Sequence, residues 1–138
     1  MVEILVSFEG GFRTVSTHVP SGALLPTDAP KDNLGEGNAY SPTDLTATSL
    51  VTCMLTTMAI MARKNSLPVE LAGAKGRVRK YMTSEPPRRI AKLEVDIDIP
   101  NPISSADRAT LERVAKKCPA ALSLHPDVEQ AVAFHWAE

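Results

Sequence analysis

The sequence is poor in aromatic residues, at 4%, so it offers few platforms on which nucleic-acid bases could stack. Neither sign of charge dominates. The formal net charge is -1, without the basic footprint that phosphate neutralisation requires, so no nucleic-acid partner is expected. The opening residues MVEILVSFEG lack the basic n-region, apolar run and small-residue cleavage site of a signal peptide, and a cytoplasmic protein is the expectation. No GxSxG, Walker or GxGxxG pattern occurs, so serine hydrolase, P-loop and Rossmann chemistry lack support. His18, His125 and His135 combine with the cysteines in neither CxxC nor HxxxH spacing, which argues against a metal site. Repeats and low-complexity tracts are missing too. Cysteine is scarce: Cys53 and Cys118 are the two in the chain. A reducing cytoplasm would keep them as thiols, which disfavours a purely structural disulfide.

What is present reads as one domain, residues 1–138, with 43% hydrophobic residues and enough length for a buried core. Val2, Ile4, Val6 and Phe8 alternate with polar neighbours, the period of a half-buried strand. Gly10-Gly11 then punctuates, and residues 12–19 form the returning arm of a hairpin. Residues 20–40 hold Pro, Gly, Asp and Asn without a sustained period and read as a long loop. Ser41 is a helix N-cap, Pro42 suits the first helical position, and Asp44 stands three residues past the cap, where its carboxylate can reach back. From Leu45 to Ala62 there is no charge. Five threonines and a serine make that run a poor membrane span, so no membrane partner is expected. A helix apolar around nearly its whole circumference must be buried all round. So small a chain can hardly wrap it, which predicts packing against a symmetry mate in an obligate homodimer.

Farther on, Lys75, Arg77 and Arg79 alternate in one segment, and Glu94, Asp96 and Asp98 in another. A turn at Pro86-Pro87 would place Arg79 by Glu94, Arg77 by Asp96 and Lys75 by Asp98, with opposite charges helping to set register. Leu93, Val95, Ile97 and Ile99 then turn inward. Ser104 with Asp107 caps a second helix through Lys117, whose inward stripe is Leu111, Val114, Ala115 and Cys118. Residues 128–136 form a closing strand. The order ββ-α-ββ-α-β predicts an α+β fold, with helices against antiparallel sheets and a long central helix carrying the first cysteine.

Both cysteines face the interior on this reading. A reversible disulfide needs their Cα atoms within about 7 Å. The plainer alternative is two small buried hydrophobes. Met54, Met58 and Met61, at helical spacing, read as core filling. His18 and His125 read as a strand-end and a loop residue.

The run SPTDLTATSLVTCMLTTMAIMARKNSL, residues 41–67, resembles the signature helix of the OsmC/Ohr family, osmotically inducible protein C and the organic hydroperoxide resistance proteins. Lys117-Cys118-Pro119, followed by Ala120, Ala121, Leu122 and Ser123, is similar to that family's second-cysteine motif. The likeness extends over the whole chain and fits the general OsmC-like branch. It implies an intertwined homodimer with active sites at the subunit interface, acting as a thiol peroxidase on organic hydroperoxides. By the same resemblance Cys53 matches the peroxidatic and Cys118 the resolving cysteine, and Arg13 is the candidate for the arginine that pairs with the thiolate. No bound cofactor is implied; an external dithiol, of lipoyl type in the family, is the reductant. The apolar helix face would suit a small apolar hydroperoxide. The family's glutamate, ten residues before the first cysteine, is here Thr43. The neighbouring Asp44 is then either arginine partner or helix cap. A binding or redox-sensing dimer of the same fold, with little peroxidase activity, is the alternative.

Overall fold

The computed structural model describes all 138 residues, and the chain divides into two compact units, Met1–Thr46 and Ala47–Glu138. In the first, β1 (Ile4–Gly10), β2 (Arg13–His18) and β3 (Leu24–Asp28) form an antiparallel sheet in the order β1-β2-β3. The expected hairpin is present, with Gly11 and Phe12 at its tip, both with positive φ, as a two-residue primed turn requires. The stretch 20–40 is not a featureless loop. It contains β3 and a short 3-10 turn, Lys31–Asn33. Pro26 sits within β3 opposite Val15, a placement that the edge of a sheet tolerates.

Buried residues in this unit are Thr27, Asp28 and Ser41, all polar. Ile4, Leu5, Val6 and Phe8 are 56–70% exposed. The half-buried strand expected of this alternation therefore has no cover within the single chain. Three strands need a buried hydrophobic face for independent stability, and this sheet has none.

Helix α1 (Pro42–Lys64) runs as expected from the Ser41 cap. Its buried residues, Ala47, Leu50, Val51, Met54, Met58 and Ala62, recur at three- and four-residue spacing, which puts them on one face. Ser49, Thr52, Thr56 and Ile60, on the other side, are exposed. Within the single chain the helix is thus buried on one side. By length and composition it is apolar enough to cross a membrane, yet that buried stripe is part of a protein core.

The core lies in the second unit. Leu93, Val95, Ile97 and Ile99 of β5 (Ile90–Ile99) and Leu111 and Ala115 of α2 (Ser105–Lys116) close on the α1 stripe. Each large apolar side chain buried there contributes about 1.5–3 kcal/mol. β4 (Lys75–Met82) pairs antiparallel with β5 in the register that the charge pattern predicts: Lys75 opposite Asp98, Arg77 opposite Asp96, Arg79 opposite Glu94. Arg79 Nη1 donates to both Glu94 (2.8 Å) and Asp96 (3.2 Å). A Cβ on Gly76 would lie 2.4 Å from Val51 Cγ2, so this glycine lets helix and strand approach closely.

β6 (Glu129–Trp136) pairs with β5 in parallel. Parallel neighbours need a crossover, here supplied by α2 and a short helix α3 (Pro119–Ser123). The second sheet is thus mixed, order β4-β5-β6, within an α+β architecture. The expected antiparallel pairing holds for β1-β2-β3 and for β4-β5, whereas β6 joins in parallel because the α2–α3 crossover returns the chain in the direction of β5.

Candidate functional site

Cys53 lies mid-way along α1, one residue before buried Met54, and is half-buried against the core. Cys118 follows the C-terminal end of α2 and is fully buried. It also caps α3, its sulfur accepting the Ala121 N–H at 3.5 Å. Pro119, at the first position of α3, cannot donate a backbone hydrogen bond and suits a helix start. This Cys-Pro step therefore turns the chain sharply between α2 and α3 and fixes the thiol at the junction.

Both cysteines are free thiols, and both lie at the same hydrophobic core. Burial pushes the Cys118 thiol up from its ordinary value. The Ala121 N–H opposes that shift, and the neighbouring Cys53 sulfur adds to it. The thiolate is the attacking form of a cysteine, so Cys118 must give up its proton in any step in which its sulfur attacks. Cys53 Sγ also meets the hydroxyl of Thr57, one helical turn on, at 3.9 Å. The sequence reading missed Thr57; its i, i+4 spacing from Cys53 was the available signal.

Arg13 and Asp44 belong to the first unit. Arg13, at the start of β2, donates from Nη2 to Glu36. Glu36 also accepts from Asn38 Nδ2 at 2.7 Å. The loop carrying Glu36 is closely built: Gly35 N–H donates to Pro30 O and Gly37 N–H to Ala29 O. A Cβ on Gly35 would fall 1.7 Å from the Ala29 carbonyl oxygen, so only glycine fits. Asp44 accepts the Ser41 N–H at 2.8 Å, while the Ser41 hydroxyl accepts the Asp44 N–H at 3.2 Å. That is the reciprocal capping box. Thr43 Oγ1 lies 3.3 Å from Ser41 Oγ. Glu36 is thus the carboxylate found on Arg13. No spacing rule could have shown it, because the pairing depends on the fold of the 29–38 loop.

His18 bonds Ser21, His125 faces Asp127 and His135 bonds Asp96. No group of three or more His, Cys, Asp or Glu side chains is placed to hold a metal ion.

Residues 35–132 match the family model for OsmC-like protein. The chain belongs to the OsmC family. A candidate osmotic stress induced and detoxification response protein from Psychrobacter arcticus has a similar crystal structure, at 38% identity and TM-score 0.90, covering 98% of this chain and 96% of that one. More distant relatives share the fold alone. The organic hydroperoxide resistance protein OsmC from Legionella pneumophila is 17% identical, with TM-score 0.75 over 98% and 96% of the two chains. OhrB of Bacillus subtilis, also an organic hydroperoxide resistance protein, is 11% identical, with TM-score 0.70 over 97% of each. No curated protein matches the sequence.

Proposed function

We propose that this OsmC-family protein is a thiol peroxidase that reduces organic hydroperoxides through Cys53 and Cys118. The observation that carries the reading is the pairing of those two thiols, from motifs 65 residues apart, inside one core. The Cys53 thiolate attacks the outer oxygen of the hydroperoxide, the O–O bond breaks, and the departing alkoxide takes a proton to leave as an alcohol. Cys53 is left as a sulfenic acid. The Cys118 sulfur then attacks the Cys53 sulfur, its proton leaves with the hydroxyl as water, and a disulfide forms. An external dithiol of lipoyl type returns both thiols and is itself oxidised to a disulfide. No cofactor stays bound, and the reducing cytoplasm is the setting that keeps the cycle poised.

The half-buried Cys53, beside apolar core residues, favours a small apolar hydroperoxide over hydrogen peroxide. Arg13 is the activating cation that the family resemblance suggests, and Glu36 supplies the carboxylate that Thr43 does not. Loss of the usual glutamate would otherwise favour a small-ligand-binding or redox-sensing dimer. Homodimerisation is supported by the uncovered apolar side chains of β1 and by the exposed, uncharged face of α1 from Ser49 to Ile60. On that face the hydroxyls of Thr52 and Thr56 are turned onto their own helix carbonyls, at 2.8 and 2.9 Å.

The test is steady-state turnover of cumene hydroperoxide with dihydrolipoamide as reductant. The wild type should turn over and prefer the organic substrate to hydrogen peroxide, Cys53→Ser should be inactive, and Cys118→Ser should stop after one oxidation. Full activity in Cys53→Ser would reject the proposal.

A further inference from the structure

Threonine in a helix ordinarily satisfies its hydroxyl on the carbonyl one turn back. Along α1 Thr46, Thr52 and Thr56 do so, bonding the carbonyls of Pro42, Thr48 and Thr52. Thr57 departs from them. The residue four positions before it is Cys53, and the Thr57 hydroxyl meets the Cys53 side-chain sulfur, at 3.9 Å. The same sulfur is close enough to Cys118 to help raise that thiol. Cys53 therefore has a hydroxyl within its own helix and a second thiol in the same core.

We propose that Thr57 is the hydroxyl donor to the reacting sulfur: it favours the thiolate of Cys53 and holds it in the orientation that faces Cys118. The inference rests on the reading of Cys53 as the reacting thiol. A neutral sulfur is a weak acceptor, and 3.9 Å is the long end of such a contact. A thiolate is a stronger acceptor, because hydrogen bonds to ionised groups are shorter and roughly twice as strong. The contact tightens as the proton leaves, and a hydrogen bond to the charged form lowers the pKa of the group that accepts it. The burial that raises the Cys118 thiol would disfavour any thiolate placed deeper in the core, so a local donor at Cys53 separates the roles of the two cysteines. It also comes from the same helix as Cys53, so it needs no movement of another element to act.

The experiment measures alkylation of the reduced full-length protein by iodoacetamide against pH, with Cys53 quantified by peptide mass, in Thr57→Val, Thr57→Ala and Thr57→Ser. Valine keeps the shape of threonine and removes the donor. Both Thr57→Val and Thr57→Ala should move the Cys53 profile up by about half to one pH unit, which slows alkylation at neutral pH about three- to tenfold. Thr57→Ser should restore the wild-type profile. Superimposable profiles for wild type, Thr57→Val and Thr57→Ala would overturn the proposal. So would a Thr57→Ser profile displaced like that of valine, since packing of the methyl group would then be the cause. Alkylation consumes no hydroperoxide, so a protein that failed to turn over peroxide would still report on Thr57.

Discussion

Two carboxylates of the first unit, Asp44 and Glu36, stand in different surroundings and should respond differently to substitution. Asp44 closes the capping box of α1 with Ser41, so Asp44→Ala should cost about 1 kcal/mol of stability. Glu36 pairs with Arg13 across exposed surface, with side chains 65% and 48% exposed. Such a pair contributes at most about 1 kcal/mol, so Glu36→Gln should leave the melting temperature nearly unchanged. If Glu36 orients the activating arginine, that same variant should lower peroxide turnover about tenfold or more. Thermal melts beside steady-state rates separate the two roles. Equal loss of turnover in Asp44→Ala and none in Glu36→Gln would return the orienting role to Asp44. The sequence made the capping function of Asp44 legible through the Ser-x-x-Asp spacing. It could not disclose Glu36, because that partner is selected by a loop whose path depends on Gly35 meeting the Ala29 carbonyl.

Among the elements, the sheet of β4, β5 and β6 carries its charges where they can be tested by pH. Asp96 accepts from His135, at 3.1 Å, and from Arg79, at 3.2 Å. The His135 hydrogen bond, followed by the bond and charge of Arg79, holds its carboxyl below the usual aspartate value. The unfolded chain takes up that proton first as pH falls. The stabilisation is therefore present above the ordinary value near 4 and disappears as pH drops through the lowered one. Asp96→Asn should melt at a lower temperature than wild type at pH 7, and the gap should close toward pH 3. A gap independent of pH would show that charge at Asp96 is not its cause. Charge alternation made the β4–β5 register readable, because only one alignment puts three basic residues opposite three acidic ones. β6 was legible as a strand but not in direction, since orientation is decided by the α2–α3 crossover and leaves no mark on its own alternation. β3 was hidden because Leu24-Leu25-Pro26-Thr27-Asp28 neither alternates nor follows strand propensity; it pairs through backbone at a sheet edge.

At the level of the whole molecule, the two units differ in what holds them. Residues from Ala47 onward bury an apolar core built on α1 and β5, whereas the sheet of residues 4–28 buries no apolar side chain. The sequence signalled both apolar surfaces, on β1 and on α1, but a pattern of hydrophobic residues does not say which molecule covers them. The same core holds Cys53 and Cys118, so both proposed redox thiols belong to the better-packed unit. That the two cysteines would meet depended on the resemblance at the sequence level, because nothing in the 64 intervening residues fixes a distance. Their pairing is the centre of the functional account. Its most direct test is the intact mass of reduced protein after one equivalent of cumene hydroperoxide, with Cys118→Ser beside it. The account predicts loss of two hydrogens in the wild type and gain of one oxygen, on Cys53, in the variant. Unchanged masses at matched times would contradict it and leave the family fold in a binding role.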